Sequence, residues 1–178
     1  MRTLTFAILM ILTVAAASAV ELRFEPFNAQ IAVDEELTIS IMLDESLDIR
    51  TAEFTVSYDS LVIGSEDWAS GQIFLDTGCM LWAAFEEDLP GCWHGFTVIL
   101  DAYCHATGPG ELFSWTVRGL ADGYTRLAVS QARLFDPDGA LIEGVSLPDT
   151  YVFVGTATGL PEPEPLPASW SDLRALYR

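Results

Sequence analysis

The sequence predicts an all-β protein in which two antiparallel sheets pack face to face as a β-sandwich. Apolar and polar residues alternate with a period of two in several short runs, turn-forming residues separate these runs, and no long helical pattern interrupts them. Without helices to form parallel crossovers, two stacked antiparallel sheets are the economical way to bury the apolar faces. The length of 178 residues suits one domain, or two at most.

The first segment of the chain is typical of a secretory signal. Arg2 precedes an apolar run from Leu4 to Ala17, and small residues follow at positions 17–19. The run is shorter than the ~20 apolar residues that cross a bilayer. We therefore expect residues 1–19 to be removed as a signal peptide, and the mature chain to be secreted without stable membrane insertion.

Alternating side chains predict strands throughout residues 20–155. In residues 37–43, Ile39 and Ile41 point to one side of a strand while Thr38 and Ser40 point to the other. Turn signals, such as those around Pro90, separate this strand from the others. The predicted strands lie at residues 22–33, 37–44, 51–58, 80–86, 95–102, 111–118, 125–135 and 150–154.

Beyond the sandwich, the composition changes abruptly. Residues 156–168 contain closely spaced prolines and glutamates, which favour an extended linker. Residues 169–178 form a short amphipathic tail in which Ser169 would cap a helix of about two turns, with Trp170 and Leu173 on one side. The tail is either a frayed terminus, or a docking peptide or export signal held away from the domain.

The charge and the absence of catalytic motifs restrict the function. The chain has 26 acidic and 8 basic residues, a net charge of -18, which excludes nucleic acid as a partner and opposes self-association. No nucleophile elbow or phosphate-binding glycine loop is present, and the acidic run Glu86–Asp88 is typical of a solvated turn. We expect a protein that is not an enzyme and needs no cofactor.

The order and spacing of these elements resemble a cohesin domain over residues 22–155. The resemblance lies in two strands followed by a turn across Asp44–Asp59, then Gly71, the strand Phe96–Asp101, the segment Gly110–Trp115 and the turn Asp136–Gly139. It implies a flattened nine-stranded jelly-roll that has no catalytic activity. It also implies a partner, because one exposed sheet face of a cohesin binds a dockerin, a small calcium-loaded helical module on another exported protein.

The same resemblance assigns the binding face to two neighbouring strands. Glu53 and Asp101 would accept hydrogen bonds from a dockerin helix, although both could equally be ordinary solvated residues. The six residues expected to face outward and contact the partner are Thr51, Glu53, Thr55, Thr97, Ile99 and Asp101.

Three cysteines raise the question of a disulfide or a metal site. If a hairpin turns at Pro90, Cys79 and Cys104 lie together at its open end and Cys92 lies free near its tip, so a Cys79–Cys104 disulfide is favoured, with other pairings left open. Cys92, Cys104 and two histidines, His94 and His105, are zinc-ligand types. Their irregular spacing on alternating strand faces argues against zinc, so we expect no metal site.

A carbohydrate-binding module is the alternative function, with a polysaccharide as its partner. Such a module needs exposed aromatic rings on one face. Trp115 belongs with the core side of its strand, whereas Trp68, Trp82 and Trp93 are not assigned to either side by the pattern. Two of these three on one exposed face would favour the carbohydrate function.

Overall fold

A computed structural model describes residues 20–156 as a β-sandwich, which confirms the predicted all-β class. The predicted signal peptide and tail, and the linker after Thr156, lie outside the described residues. Within residues 20–156, no helix is long and apolar enough to cross a membrane.

The described chain contains twelve strands and one short helix. In chain order they are β1 (Leu22–Glu25), β2 (Ala29–Ile31), β3 (Glu36–Leu43), β4 (Asp48–Ile49), β5 (Thr51–Ser57), β6 (Ile63–Ser70), α1 (Gln72–Leu75), β7 (Leu81–Leu89), β8 (Cys92–Ile99), β9 (Ala106–Thr107), β10 (Gly110–Gly119), β11 (Gly123–Phe135) and β12 (Thr150–Val154).

The strands form two large sheets that face each other. A four-stranded sheet has the order β1-β3-β10-β6, and a six-stranded sheet has the order β2-β12-β11-β5-β8-β7. A small third sheet pairs β4 with β9. Strands β7 and β8 form a hairpin whose turn contains Pro90 and Gly91, as the sequence predicts.

One pairing departs from the predicted antiparallel arrangement. Strand β2 pairs with β12 in parallel, with Ala29 opposite Val152 and Ile31 opposite Val154. The single strand predicted at residues 22–33 is in fact two strands, because Pro26 and the positive φ of 54° at Asn28 interrupt it. At this break the chain leaves the four-stranded sheet, which contains β1, and enters the six-stranded sheet, which contains β2. All the strands from β3 to β11 lie between β2 and its parallel neighbour β12 in the sequence.

Strand β6 and helix α1 were not predicted from the sequence. Strand β6 is an edge strand whose middle residues, Glu66 and Asp67, are exposed, so apolar alternation is weak there. Its contribution to the core comes from Ile63 and from the half-buried Trp68.

Three stacked indole rings join the two sheets. The ring of Trp68 lies between those of Trp93 and Trp115, with centroid separations of 3.3 and 4.3 Å and interplanar angles of 7° and 9°. Trp68 and Trp115 come from the four-stranded sheet, and Trp93 comes from the six-stranded sheet. The Nε1–H groups of Trp68 and Trp115 both donate to the Ser65 hydroxyl, at 2.7 and 3.1 Å. The burial of Trp115 confirms its predicted place in the core.

The structure joins Cys79 and Cys104 in a disulfide, the pairing that the hairpin argument favours. Their Cα atoms are 6.6 Å apart, and the bond links the chain just before β7 to the chain just after β8. Cys92 is unpaired among the described cysteines. It is half-buried against β5, with its Sγ 4.0 Å from the Ser57 hydroxyl, rather than exposed at the hairpin tip.

We predict that the Cys79→Ser/Cys104→Ser double variant loses stability because the disulfide closes a loop of 25 residues in the unfolded chain. The expected loss is about 2–4 kcal/mol in the free energy of unfolding, measured by urea titration. Cys92→Ser is the matched control and should cost less than ~1 kcal/mol. An equal loss in both variants would contradict this assignment.

The packing of Trp93 also generates a prediction about Gly95. A methyl group at Gly95 would collide with the indole of Trp93, whereas a methyl group at Gly64 would lie an ordinary 3.5 Å from Leu120. We therefore expect Gly95→Ala to lower the free energy of unfolding by about 1–3 kcal/mol. Gly64→Ala, also in a strand, should change it by only ~0.5 kcal/mol. Equal unfolding midpoints for the two variants would show that the indole stack is looser than described.

Candidate functional site

The outer face of the six-stranded sheet is a broad surface that carries accessible side chains. Strands β7, β8, β5 and β11 are neighbours in this sheet, and residues that lie opposite one another on them form three rows across the outer face. No residue in these rows is buried. The rows are Trp82, Val98, Thr51 and Phe135; Ala84, Phe96, Glu53 and Arg133; and Glu86, His94, Thr55 and Gln131.

The prediction that Thr97 and Ile99 face outward is wrong. Both are fully buried, while Phe96 and Val98 lie on the outer face. Strand β8 has apolar side chains on both sides, so its alternation does not reveal which side meets the core. The Thr97 hydroxyl is hydrogen-bonded to the Ser70 hydroxyl at 2.9 Å, which satisfies its polar group inside the sandwich.

The other predicted contact residues are accessible. Thr51, Glu53 and Thr55 lie side by side on the outer face of β5, in half-buried positions. Asp101 is exposed in the turn after β8, where its carboxylate accepts a hydrogen bond from the Met80 backbone N–H at 2.7 Å. The structure therefore brings Thr51, Glu53 and Thr55 together and places Asp101 at the end of the neighbouring strand.

A charged cluster occupies the middle of the outer face. The Glu53 carboxylate lies 3.1 Å from Nε2 of His94 and 3.5 Å from a guanidinium nitrogen of Arg133. Its side chain is 18% exposed, less than those of its two partners. The cluster spans β8, β5 and β11 and offers both an acceptor and donors to a partner.

An apolar group lies beside this cluster, toward the edge strand. Trp82 is 55% exposed, and its ring meets that of Phe96 edge-on at a centroid distance of 5.4 Å. Val98 lies directly opposite Trp82 and extends the same surface. An exposed aromatic residue next to a partly desolvated ion pair is the combination found at the centres of protein-binding surfaces.

The tryptophans do not form the sugar-binding platform that the alternative function requires. Of the three unassigned residues, Trp82 alone is exposed, because Trp93 is 1% exposed and Trp68 is held in the indole stack.

The four side chains considered as zinc ligands, those of Cys92, His94, Cys104 and His105, do not come together in the structure. Cys104 is in the disulfide, His94 is bonded to Glu53, and His105 lies 3.7 Å from Asp48 beside the third sheet. No group of three or more His, Cys, Asp or Glu side chains in residues 20–156 is arranged to hold a metal ion.

Comparison with known proteins identifies the fold. No protein-family model and no curated protein matches this chain. Solved structures do match it. A non-cellulosomal cohesin from Archaeoglobus fulgidus is 12% identical, with a TM-score of 0.62, over 78% of this chain and 93% of that chain.

Two further matches are cohesins solved in complexes with dockerins. The cohesin of a type I complex from Clostridium thermocellum is 16% identical, with a TM-score of 0.64, over 78% of this chain and 96% of that chain. The sixth cohesin of scaffoldin B from Acetivibrio cellulolyticus is 13% identical, with a TM-score of 0.65, over 77% of this chain and 99% of that chain. The chain therefore has a cohesin-like fold.

Tyr58 connects the end of β5 to the hairpin tip. Its buried hydroxyl donates to Oε1 of Glu87 at 2.7 Å, and the same oxygen accepts the Gly91 backbone N–H at 2.8 Å. Burial and the bond to Glu87 raise the pKa of Tyr58 well above its ordinary value.

We predict an alkaline loss of stability that depends on Tyr58. The unfolded chain releases this proton near pH 10 while the folded chain retains it, so the stabilisation is complete below about pH 10 and decreases as the pH rises further. Urea titrations between pH 9 and pH 11 should show this decrease. It should be smaller in Tyr58→Phe and unchanged in Tyr103→Phe, whose side chain is fully exposed. Identical pH profiles for wild type and Tyr58→Phe would contradict the prediction.

Proposed function

We propose that this protein is a secreted, non-catalytic module that captures a dockerin-like module of another exported protein through the outer face of its six-stranded sheet. The observation that carries the proposal is the pairing of the Glu53 cluster with the exposed Trp82 on one face of a cohesin-like fold. Two of the similar cohesins were solved with a dockerin bound, which supports the same class of partner here.

The shape of the face suits a helical partner. The four strands offer an open surface about three inter-strand spacings wide, which matches a helix or helix pair better than a small molecule. Trp82 and Phe96 would contact apolar side chains of the partner. Glu53, His94 and Arg133 would exchange hydrogen bonds with its polar side chains and fix its orientation.

The proposed contact set retains four of the residues expected from the sequence, replaces two and adds three. Thr97 and Ile99 are replaced by Phe96 and Val98, their outward-facing neighbours on β8. The full set is Thr51, Glu53, Thr55, Trp82, His94, Phe96, Val98, Asp101 and Arg133.

Two observations support an extracellular location. The first residues of the chain have the pattern of a signal peptide. The Cys79–Cys104 disulfide is a feature of proteins that fold in oxidising compartments.

We predict that Glu53→Gln and Trp82→Ala each weaken dockerin capture by about tenfold or more, because each removes a central contact of the interface. Affinity would be measured by calorimetry against the dockerin modules encoded in the same genome. Glu66→Gln is the matched control: Glu66 forms a similar ion pair with Arg118 at 2.7 Å, but on the opposite sheet.

The control should retain full affinity, and all three variants should unfold close to the wild-type midpoint. Undiminished capture by both Glu53→Gln and Trp82→Ala would place the interface elsewhere. Failure of the wild type to bind any of these dockerins would exclude the proposed partner.

A further inference from the structure

A second surface lies at the other end of β11, where three aromatic rings meet. Tyr124 of β11 and Tyr151 and Phe153 of β12 are mutual neighbours, with ring centroids 6.3–6.4 Å apart. Tyr124 is 47% exposed, Tyr151 is half-buried, and Phe153 is nearly covered. We call these three residues the aromatic strip, and Tyr124 is its most exposed ring.

The aromatic strip continues into an open cleft. The cleft is a shallow depression open to solvent, and Tyr124 lines it as well as belonging to the strip. Its walls are formed by Ser57, Tyr58, Asp59, Tyr124, Thr125, Arg126 and Ala128.

The polar groups of the cleft include both acceptors and donors. Oδ1 of Asp59 accepts the Leu61 backbone N–H at 2.9 Å, which fixes the carboxylate and leaves Oδ2 for a ligand. The Ser57 hydroxyl has only a weak contact with Cys92 Sγ, at 4.0 Å. The Arg126 guanidinium is oriented by Asp149, whose Oδ2 accepts Nε–H at 2.6 Å.

We propose that the aromatic strip and this cleft bind a neutral oligosaccharide. A sugar ring has an apolar face of C–H groups, which can stack on an aromatic ring, and an edge of hydroxyls that both donate and accept hydrogen bonds. Tyr124 would supply the ring, while Asp59, Ser57 and Arg126 would satisfy the hydroxyls. The net charge of -18 disfavours acidic polysaccharides.

The angles between the rings indicate the form of the ligand. The ring of Tyr124 is tilted by 53° from that of Tyr151 and by 39° from that of Phe153, so the strip is not a flat plane. A crystalline polysaccharide presents a flat surface and would need coplanar rings. Tyr124 is the one strongly exposed ring of the strip, so the strip offers no such flat surface and instead fits a single, soluble chain.

This site borders the proposed dockerin face, but the centres of the two surfaces are far apart. Tyr124 and Arg133 lie near opposite ends of β11, roughly 30 Å apart at the usual rise per residue of a strand. On β5 the two surfaces approach each other, because Ser57 of the cleft and Thr55 of the proposed dockerin face are two residues apart, ~7 Å by the same measure. Tyr124 and Asp59 lie away from Glu53 and Trp82, so variants at these positions can still test the two surfaces separately.

The main test is calorimetry of the purified protein with four soluble neutral hexasaccharides: cellohexaose, xylohexaose, mannohexaose and laminarihexaose. An acidic oligogalacturonate is titrated in the same way. A separate assay measures whether the protein pellets with crystalline cellulose. We expect binding to at least one neutral hexasaccharide. Tyr124→Ala and Asp59→Asn should each weaken it by about tenfold or more, since each removes a ring or an acceptor that contacts the sugar.

Tyr103→Ala is the matched control, because Tyr103 is a fully exposed tyrosine in the turn after β8. It should bind sugar like the wild type, and the two site variants should retain their thermal unfolding midpoints and their response to dockerins. No binding of any neutral hexasaccharide, or binding that survives both site variants, would overturn the proposal. Tighter binding of the acidic oligogalacturonate would contradict the proposal that the ligand is neutral. Pelleting with crystalline cellulose, without binding of any soluble chain, would contradict the proposal that the ligand is a single chain.

Discussion

The inward orientation of Trp93 is the constraint on which the proposed binding face depends. Its indole completes the stack that joins the two sheets, and a strand sends alternate side chains to opposite sides. Once Trp93 points inward, Gly95 must leave room for the ring, and Thr97 and Ile99 must follow it into the core. The outer face of β8 then consists of the intervening residues, including His94 and Phe96. Core packing thus determines which side chains a partner can meet.

Strand β11 connects the two surfaces with proposed functions. At 13 residues it is the longest strand described, and it carries Arg133 toward one end and Tyr124 toward the other. A register shift lies near its middle, between Val129 and Gln131, shortly after the point where its pairing passes from β12 to β5. The strand therefore contributes a charged residue to the first surface and an aromatic residue to the second without interrupting the sheet.

The cohesin-like fold persists here at only 12–16% identity to the solved cohesins described above. A sandwich core requires apolar residues at every second position and complementary volumes, and many sequences satisfy those requirements. Exposed positions are not restricted in this way. The fold is consequently shared, while side chains such as Trp82 and the Glu53 cluster are particular features of this chain and must be judged by their own geometry.

The sequence by itself determined the β-sandwich class and the orientation of β5, because Phe54 and Val56 differ sharply in polarity from Glu53 and Thr55. It also favoured the observed disulfide, since a hairpin brings its ends together. Tertiary structure decided the orientation of β8, whose two sides are both apolar, and the parallel pairing of β2 with β12, which joins the two ends of the domain. It also decided the aromatic strip and its cleft, because their residues come from separate strands and meet only when the sheet forms. Local alternation reports burial when the two sides of a strand differ, and it carries no information about which distant strands become neighbours.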